Sequence, residues 1–183
     1  MKTEYEKMLA GELYDGRDEV LMQMRVNARA LMQEYNQTAY DLKRREVLLQ
    51  KMLGKIGSYV DIQTPFFVDY GTHIEVGDYF FANYNCVFLD CNFIKIGSNV
   101  FLGPNVQIYA AYHPVIAEER IKGPEFAAPV TIHNNVWVGG GSIILAGVTI
   151  GENTTIGAGS VVTKDIPANV VAVGNPCRVI KQL

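Results

Sequence analysis

The 183 residues are 49% hydrophobic and 19% charged with a net charge of −3, which suits one well-buried globular domain and excludes disordered and collagen-like chains. The charge is uneven: residues 1–55 hold 10 Lys/Arg and 9 Asp/Glu, residues 56–162 hold 3 and 9, and residues 163–183 hold 3 and 1. No segment is basic enough for a nucleic-acid footprint, and MKTEYEKMLAGELYDG lacks the apolar run of a secretory signal or membrane span, so a cytoplasmic protein is expected.

Residues 1 to about 53 read as helices. Val20, Leu21, Met24, Ala28, Leu31, Met32 and Tyr35 recur at the three-and-four spacing of one apolar helical stripe, with Asp15 or Asp18 as its N-terminal cap. A second helix is predicted over about 39–53. The cysteines Cys86, Cys91 and Cys177 are odd in number and show no CxxC spacing, so they read as small buried hydrophobes rather than a disulfide framework or zinc knuckle.

From Gly71 onward the period becomes six. Val76, Ala82 and Phe88 are followed, after a slip of two residues, by Ile96, Leu102 and Ile108, and then by Ile132, Val138, Ile144, Ile150, Ile156 and Val162. Glycine follows the apolar position at 77, 97, 103, 139, 151 and 157, and Val100, Val106, Val136, Val148 and Thr154 stand two residues before it. A large inward aliphatic followed by a permissive residue suits a short strand and a tight turn; three such units close a triangular coil, and stacked coils bury one column. Alternation in a β-sandwich is the competing reading, and the twelve positions in two unbroken registers count against it.

The segment AAYHPVIAEERIKGPEFAAP, residues 110–129, interrupts the count without breaking the register, because Ile108 and Ile132 are 24 apart. A coil has flat faces and no cavity, so an excursion of this kind is where a site can be built. His113 stands near its start. Imidazole as a residue type can take a proton from a hydroxyl near neutral pH, and an acyl-transfer oxyanion then needs an amide or backbone N–H donor.

At these residues YFFANYN, IYAAYHP, VTIHNNVWVGGG, VTIGENTTIGAGSVVTKDIPANVVAVGNPCRVIKQL and EKMLAGELYDGRDEVLMQMRVNARAL together resemble the maltose and galactoside O-acetyltransferases, over nearly the whole chain. The resemblance implies a mainly β fold: a left-handed parallel β-helix of hexapeptide repeats over 56–183, with an N-terminal α-helical acceptor-side segment over 1–55. That hand, opposite to the usual crossover rule, comes from the family and not from the spacing. It also implies acetyl transfer from acetyl-CoA to a sugar hydroxyl, no metal, and a homotrimer without nucleic-acid or membrane partners. Carried over by position, His113 matches the catalytic base and Asn83 the residue that binds acceptor and stabilises the transition state. Asp15, Asp69, Glu125 and Trp137 fall in the acceptor region, and Gly140, Ala158, Thr163, Lys164, Arg178 and Lys181 where the family binds CoA, whose phosphates suit a basic C-terminus. Each has a plainer reading as a turn residue, helix cap, packing aromatic or solvated charge.

The chain also departs from the family. Galactoside enzymes tend to carry an acidic residue at Cys91 and a serine at Asp69, which with NCVFLD and GPEFAA places the chain nearer the maltose enzymes. Two rivals share the coil. A γ-type carbonic anhydrase would need three histidines on one zinc, and His73, His113 and His133 are not spaced for that; a non-enzymatic scaffold would need neither His113 nor the CoA-matching tail.

Overall fold

A computed structural model describes residues 2–38 and 40–183. Helix α1 (Glu4–Leu9) opens on a capping box in which the Thr3 hydroxyl accepts from the Glu6 N–H and the Glu6 carboxylate from the Thr3 N–H. Asp18, not Asp15, caps α2 (Glu19–Asn36), accepting from the N–H groups of Val20 and Leu21 at 3.0 and 3.3 Å. Leu21, Ala28 and Tyr35 of the expected stripe are buried, but Val20 faces solvent, a turn of about 100° from Leu21. Helix α3 (Leu42–Met52) is shorter than the predicted span, whose start at residue 39 lies outside the described residues.

Beyond α3 the chain winds as a parallel β-helix with three faces. Face one stacks Lys55–Ile56, Ile74–Val76, Ile94–Ile96, Val130–Ile132 and Thr149–Ile150. Face two stacks Asp61–Ile62, Phe81–Ala82, Phe101–Leu102, Trp137–Val138, Thr155–Ile156 and Val170–Val173, and Arg178–Gln182 returns antiparallel on its edge. Face three stacks Phe66–Val68, Cys86–Leu89, Gln107–Tyr109, Ile143–Ile144 and Val161–Val162. All twelve six-spaced positions are buried, and so are the residues two before them, so each unit sends two side chains inward. The winding starts earlier than Gly71: Ile56, Ile62 and Val68 form a coil beneath Val76, Ala82 and Phe88. Leu48, Leu49 and Met52 of α3 join the same core and cover that open end.

The two-residue slip has a structural cause. Val76 pairs with Ile96, 20 residues on, whereas Ile132 pairs with Ile150, 18 residues on. The extra residues of the lower coils fall at the corner from face three to face one, where residues 69–73 and 90–93 bulge out to meet α1, α2 and the interrupting loop. Met8, Tyr14, Leu21, Tyr70, Cys91 and Ala127 form a second small core there.

The turn columns differ between corners. From face one to face two the left-handed position holds Tyr59, Tyr79, Asn99, Asn135, Asn153 and Asn169. The four asparagines form a side-chain ladder at 3.2, 2.9 and 2.9 Å. From face two to face three it holds Asn85 and Asn105, then Gly141 and Gly159.

Candidate active site

Residues 110–129 leave the coil at the corner from face three to face one as a hairpin, Ala111–Tyr112 pairing antiparallel with Phe126–Ala127, with the short helix α4 (Ala117–Arg120) at its tip. His113 follows directly and is exposed. Its Nδ1 lies 3.2 Å from the Pro124 carbonyl oxygen, which can only accept, so Nδ1 is a donor and the neutral imidazole holds its lone pair on Nε2.

Several acceptor-matching residues converge on this corner. The Tyr14 hydroxyl donates to Glu125 Oε2 at 2.7 Å, and the backbones of Tyr14 and Glu125 exchange two hydrogen bonds of 3.0 Å. Asp15 is clasped bidentately by Arg17 at 2.8 and 2.9 Å, which holds its carboxyl down at about 2. Arg17 also donates to the Lys122 carbonyl at 3.3 Å, joining the N-terminal segment to the hairpin. Asp69 accepts from the Cys91 thiol at 3.5 Å; burial, aided by the Asp90 charge, pushes the Asp69 carboxyl above its ordinary range. Burial likewise raises the Cys91 thiol and Tyr14 hydroxyl. Beneath them Asp90, fully buried, accepts from the N–H groups of Asp69, Tyr70 and His73 at 3.1, 2.8 and 3.3 Å and fixes the bulge that carries Asp69. Asp15, Asp69, Glu125 and His113 therefore share one corner, and Thr163 and Lys164 continue it at the C-terminal end.

The remaining site residues lie elsewhere. Gly140 and Ala158 stack at the corner from face two to face three, Asn83 lies at the same corner in the adjacent column, and Arg178 and Lys181 lie in the strand returning on face two. Asn83 Oδ1 accepts from the Tyr84 N–H at 2.8 Å, which leaves its amide N–H groups to serve as donors. Beside it a hollow of about 480 Å³ is walled by Phe81, Phe101, Gly103 and Trp137, and Trp137 is 57% exposed, which removes a purely core role. Added Cβ atoms at Gly141 and Gly159 meet nothing within 4 Å, whereas the asparagine ladder shows that side chains are accommodated at equivalent turns. Bare backbone here leaves a smooth open surface. The two corners are separated by face three, on the order of 15 Å at about 3.3 Å per residue.

The zinc reading fails geometrically. His73 is buried, its Nδ1 2.7 Å from the Asp90 carbonyl oxygen and its Nε2 3.3 Å from the Tyr5 hydroxyl, while His133 is exposed at the corner from face one to face two. The cysteines are free and buried, as expected.

Residues 7–57 match the maltose acetyltransferase hexapeptide capping motif and residues 129–164 the bacterial transferase hexapeptide of six repeats. The galactoside O-acetyltransferase of Escherichia coli is 42% identical, covering 97% of this chain and 88% of its own. The chain belongs to the maltose and galactoside O-acetyltransferase family. Among solved structures in the family, a maltose O-acetyltransferase from Clostridium difficile is 52% identical with a TM-score of 0.98, over 100% of this chain and 98% of that one. A galactoside acetyltransferase in complex with coenzyme A is 41% identical with a TM-score of 0.97, over 100% and 92%. Sequence reasoning did not single out Tyr14, Arg17, Asp90, Gly141 or Gly159. Only the glycines left a signal, as the change from Asn to Gly within one turn column.

Proposed function

We propose that this chain is an acetyl-CoA-dependent sugar O-acetyltransferase, nearer the maltose than the galactoside enzymes in acceptor. One observation carries the reading: similarity to a maltose O-acetyltransferase runs over 100% of the chain, through both the hairpin that bears His113 and the N-terminal helices against it. His113 Nε2 takes the proton of the acceptor hydroxyl, and the oxygen attacks the thioester carbonyl. The tetrahedral oxyanion is met by an Asn83 amide N–H, the C–S bond breaks, and the proton passes from His113 to the departing CoA thiolate. The products are a sugar acetate and free CoA. Asp15, Asp69 and Glu125 accept hydrogen bonds from sugar hydroxyls, and Trp137 offers a flat wall. CoA runs along the open backbone of Gly140, Gly141, Ala158 and Gly159 towards Thr163, Lys164, Arg178 and Lys181, whose charges suit its phosphates.

The separation of the two corners supports a homotrimer in which the His113 corner of one subunit faces the Asn83 corner of its neighbour. Residues 1–55 then serve as the acceptor-side segment and 56–183 as the acetyl-transfer domain. Among the described residues no helix is long and apolar enough to cross a membrane, which fits the proposed cytoplasmic location. The test is a panel of glucose, maltose, galactosides and a hydroxylated antibiotic, scored by thiol released from acetyl-CoA. Turnover highest on glucose or maltose supports the reading; a galactoside or antibiotic preference changes the acceptor, and no thiol release with any of them removes the activity.

A further inference from the structure

A hollow of about 890 Å³ lies between α3 and the first coil, at the corner from face one to face two and away from both corners of the acetyl-transfer site. One wall is Tyr59, 76% exposed, with its ring stacked on Tyr79 at 4.9 Å between centroids and 10° between planes. These two tyrosines adopt φ of 57° and 55°, a left-handed conformation unfavourable for aromatic residues, at turns where the four later coils use asparagine. The first two coils forgo the better-suited residue, and what they gain in its place is a flat aromatic surface held open over the hollow.

The rest of the lining fixes the ligand's charge class. Arg45 is nearly buried and committed: it donates to the Tyr35 hydroxyl and the Ile62 carbonyl and lies 3.7 Å from Asp61. Glu46 and Asp61 outweigh that single cation, so the hollow carries one net negative charge and disfavours phosphates, sulfates and nucleotides. The exposed groups of Glu46, Gln50 and Asp61 supply acceptors and an amide for hydroxyls, and the Tyr59 ring suits the C–H face of a pyranose. The volume is that of a small-ligand site and leaves room for more than a single sugar ring. We propose that this hollow is a second carbohydrate site, taking a neutral oligosaccharide and separate from the site of acetyl transfer. The proposal rests on the lining alone and stands independently of the acetyl-transfer reading.

The test is equilibrium dialysis of the full chain against radiolabelled maltotriose and, separately, cellotriose, comparing wild type with Tyr59→Asn/Tyr79→Asn. Asparagine suits both turns and continues the ladder above, so the double variant is expected to fold, which a thermal melt checks. Glu46→Ala, on the exposed face of α3, serves as a second variant that leaves the tyrosine turns untouched. Wild type is expected to bind one more probe per chain than the double variant with at least one of the two sugars, and Glu46→Ala to bind it about tenfold more weakly. Because the acetyl-transfer site is common to all three proteins, the difference reports on this hollow whether or not that site takes sugar. Equal stoichiometry in wild type and the folded double variant, or no binding of either probe to wild type, overturns the proposal.

Discussion

Replacing Gly141 by asparagine separates the fold from the ligand surface. Gly141 has φ of 70°, and Asn105, one coil below in the same register, holds φ of 59°. A Cβ at position 141 meets nothing within 4 Å, and Asn105 shows that the turn below carries the whole side chain. The remaining cost is the left-handed preference of asparagine relative to glycine, about 1 kcal/mol at most, or a fall in Tm of about 2–4 °C for a chain of this size. A CoA chain lying along this corner would meet the new amide, and a loss of about 1.4 kcal/mol of binding raises KM for acetyl-CoA about tenfold. Gly139→Ala is the contrast. Its Cβ would press on the backbone N of Ala158 and stand 2.8 Å from its Cα, so two coils must part, an overpacking of about 1–3 kcal/mol. That variant is expected to lose Tm with a smaller change in KM. Initial rates of thiol release at varied acetyl-CoA, with melts of both proteins, decide the matter. A Gly141→Asn protein of native Tm and KM within about twofold of wild type would show that CoA does not run along this corner.

His113→Ala is expected to lower kcat about 10²-fold or more and leave the melt unchanged, since the side chain is exposed; activity within about threefold of wild type would remove the general base. Arg178→Ala and Lys164→Ala are expected to raise KM for acetyl-CoA, with a smaller defect for dephospho-CoA thioesters where the side chain meets the 3′-phosphate; unchanged KM for both cofactors would move the phosphate site. Asp69→Asn is expected to raise Tm at neutral pH while lowering activity. Burial and the Asp90 charge raise its folded-state pKa, so the folded chain holds that proton to higher pH than the unfolded chain. Its contribution to stability therefore falls as pH rises from the ordinary carboxylate value near 3.9 through the raised one. The gain from Asn should be present above that window and vanish below it, and a gain independent of pH would contradict the assignment.

The β-helix was legible because its core is one repeated decision: an aliphatic every sixth residue with a permissive turn after it, from Val76 to Val162. The first coil escaped notice because Pro65 stands where later coils place Asn or Gly, although Ile56, Ile62 and Val68 keep the spacing. The two-residue slip was visible, but its consequence was not, because the bulge that carries Asp69 is shaped by contacts with Asp90 and Tyr70 and by helices distant in sequence. Likewise nothing local to Tyr14 points to Glu125, 111 residues away. The roles expected of His113 and Asn83 came from family resemblance, and a single chain keeps the two residues on different corners.

That separation makes subunit mixing the most direct test of the central claim. His113→Ala disables one corner and an Arg178→Ala variant crippled in CoA binding the other, and the two proteins are unfolded and refolded together in equal amounts. If each site joins the His113 corner of one chain to the Asn83 and Arg178 corner of the next, about a quarter of the sites inherit both intact halves, and thiol release should recover to about that fraction of wild type. A mixture as inactive as its components, with subunit exchange demonstrated, would place the whole site within one chain and contradict the shared-site account.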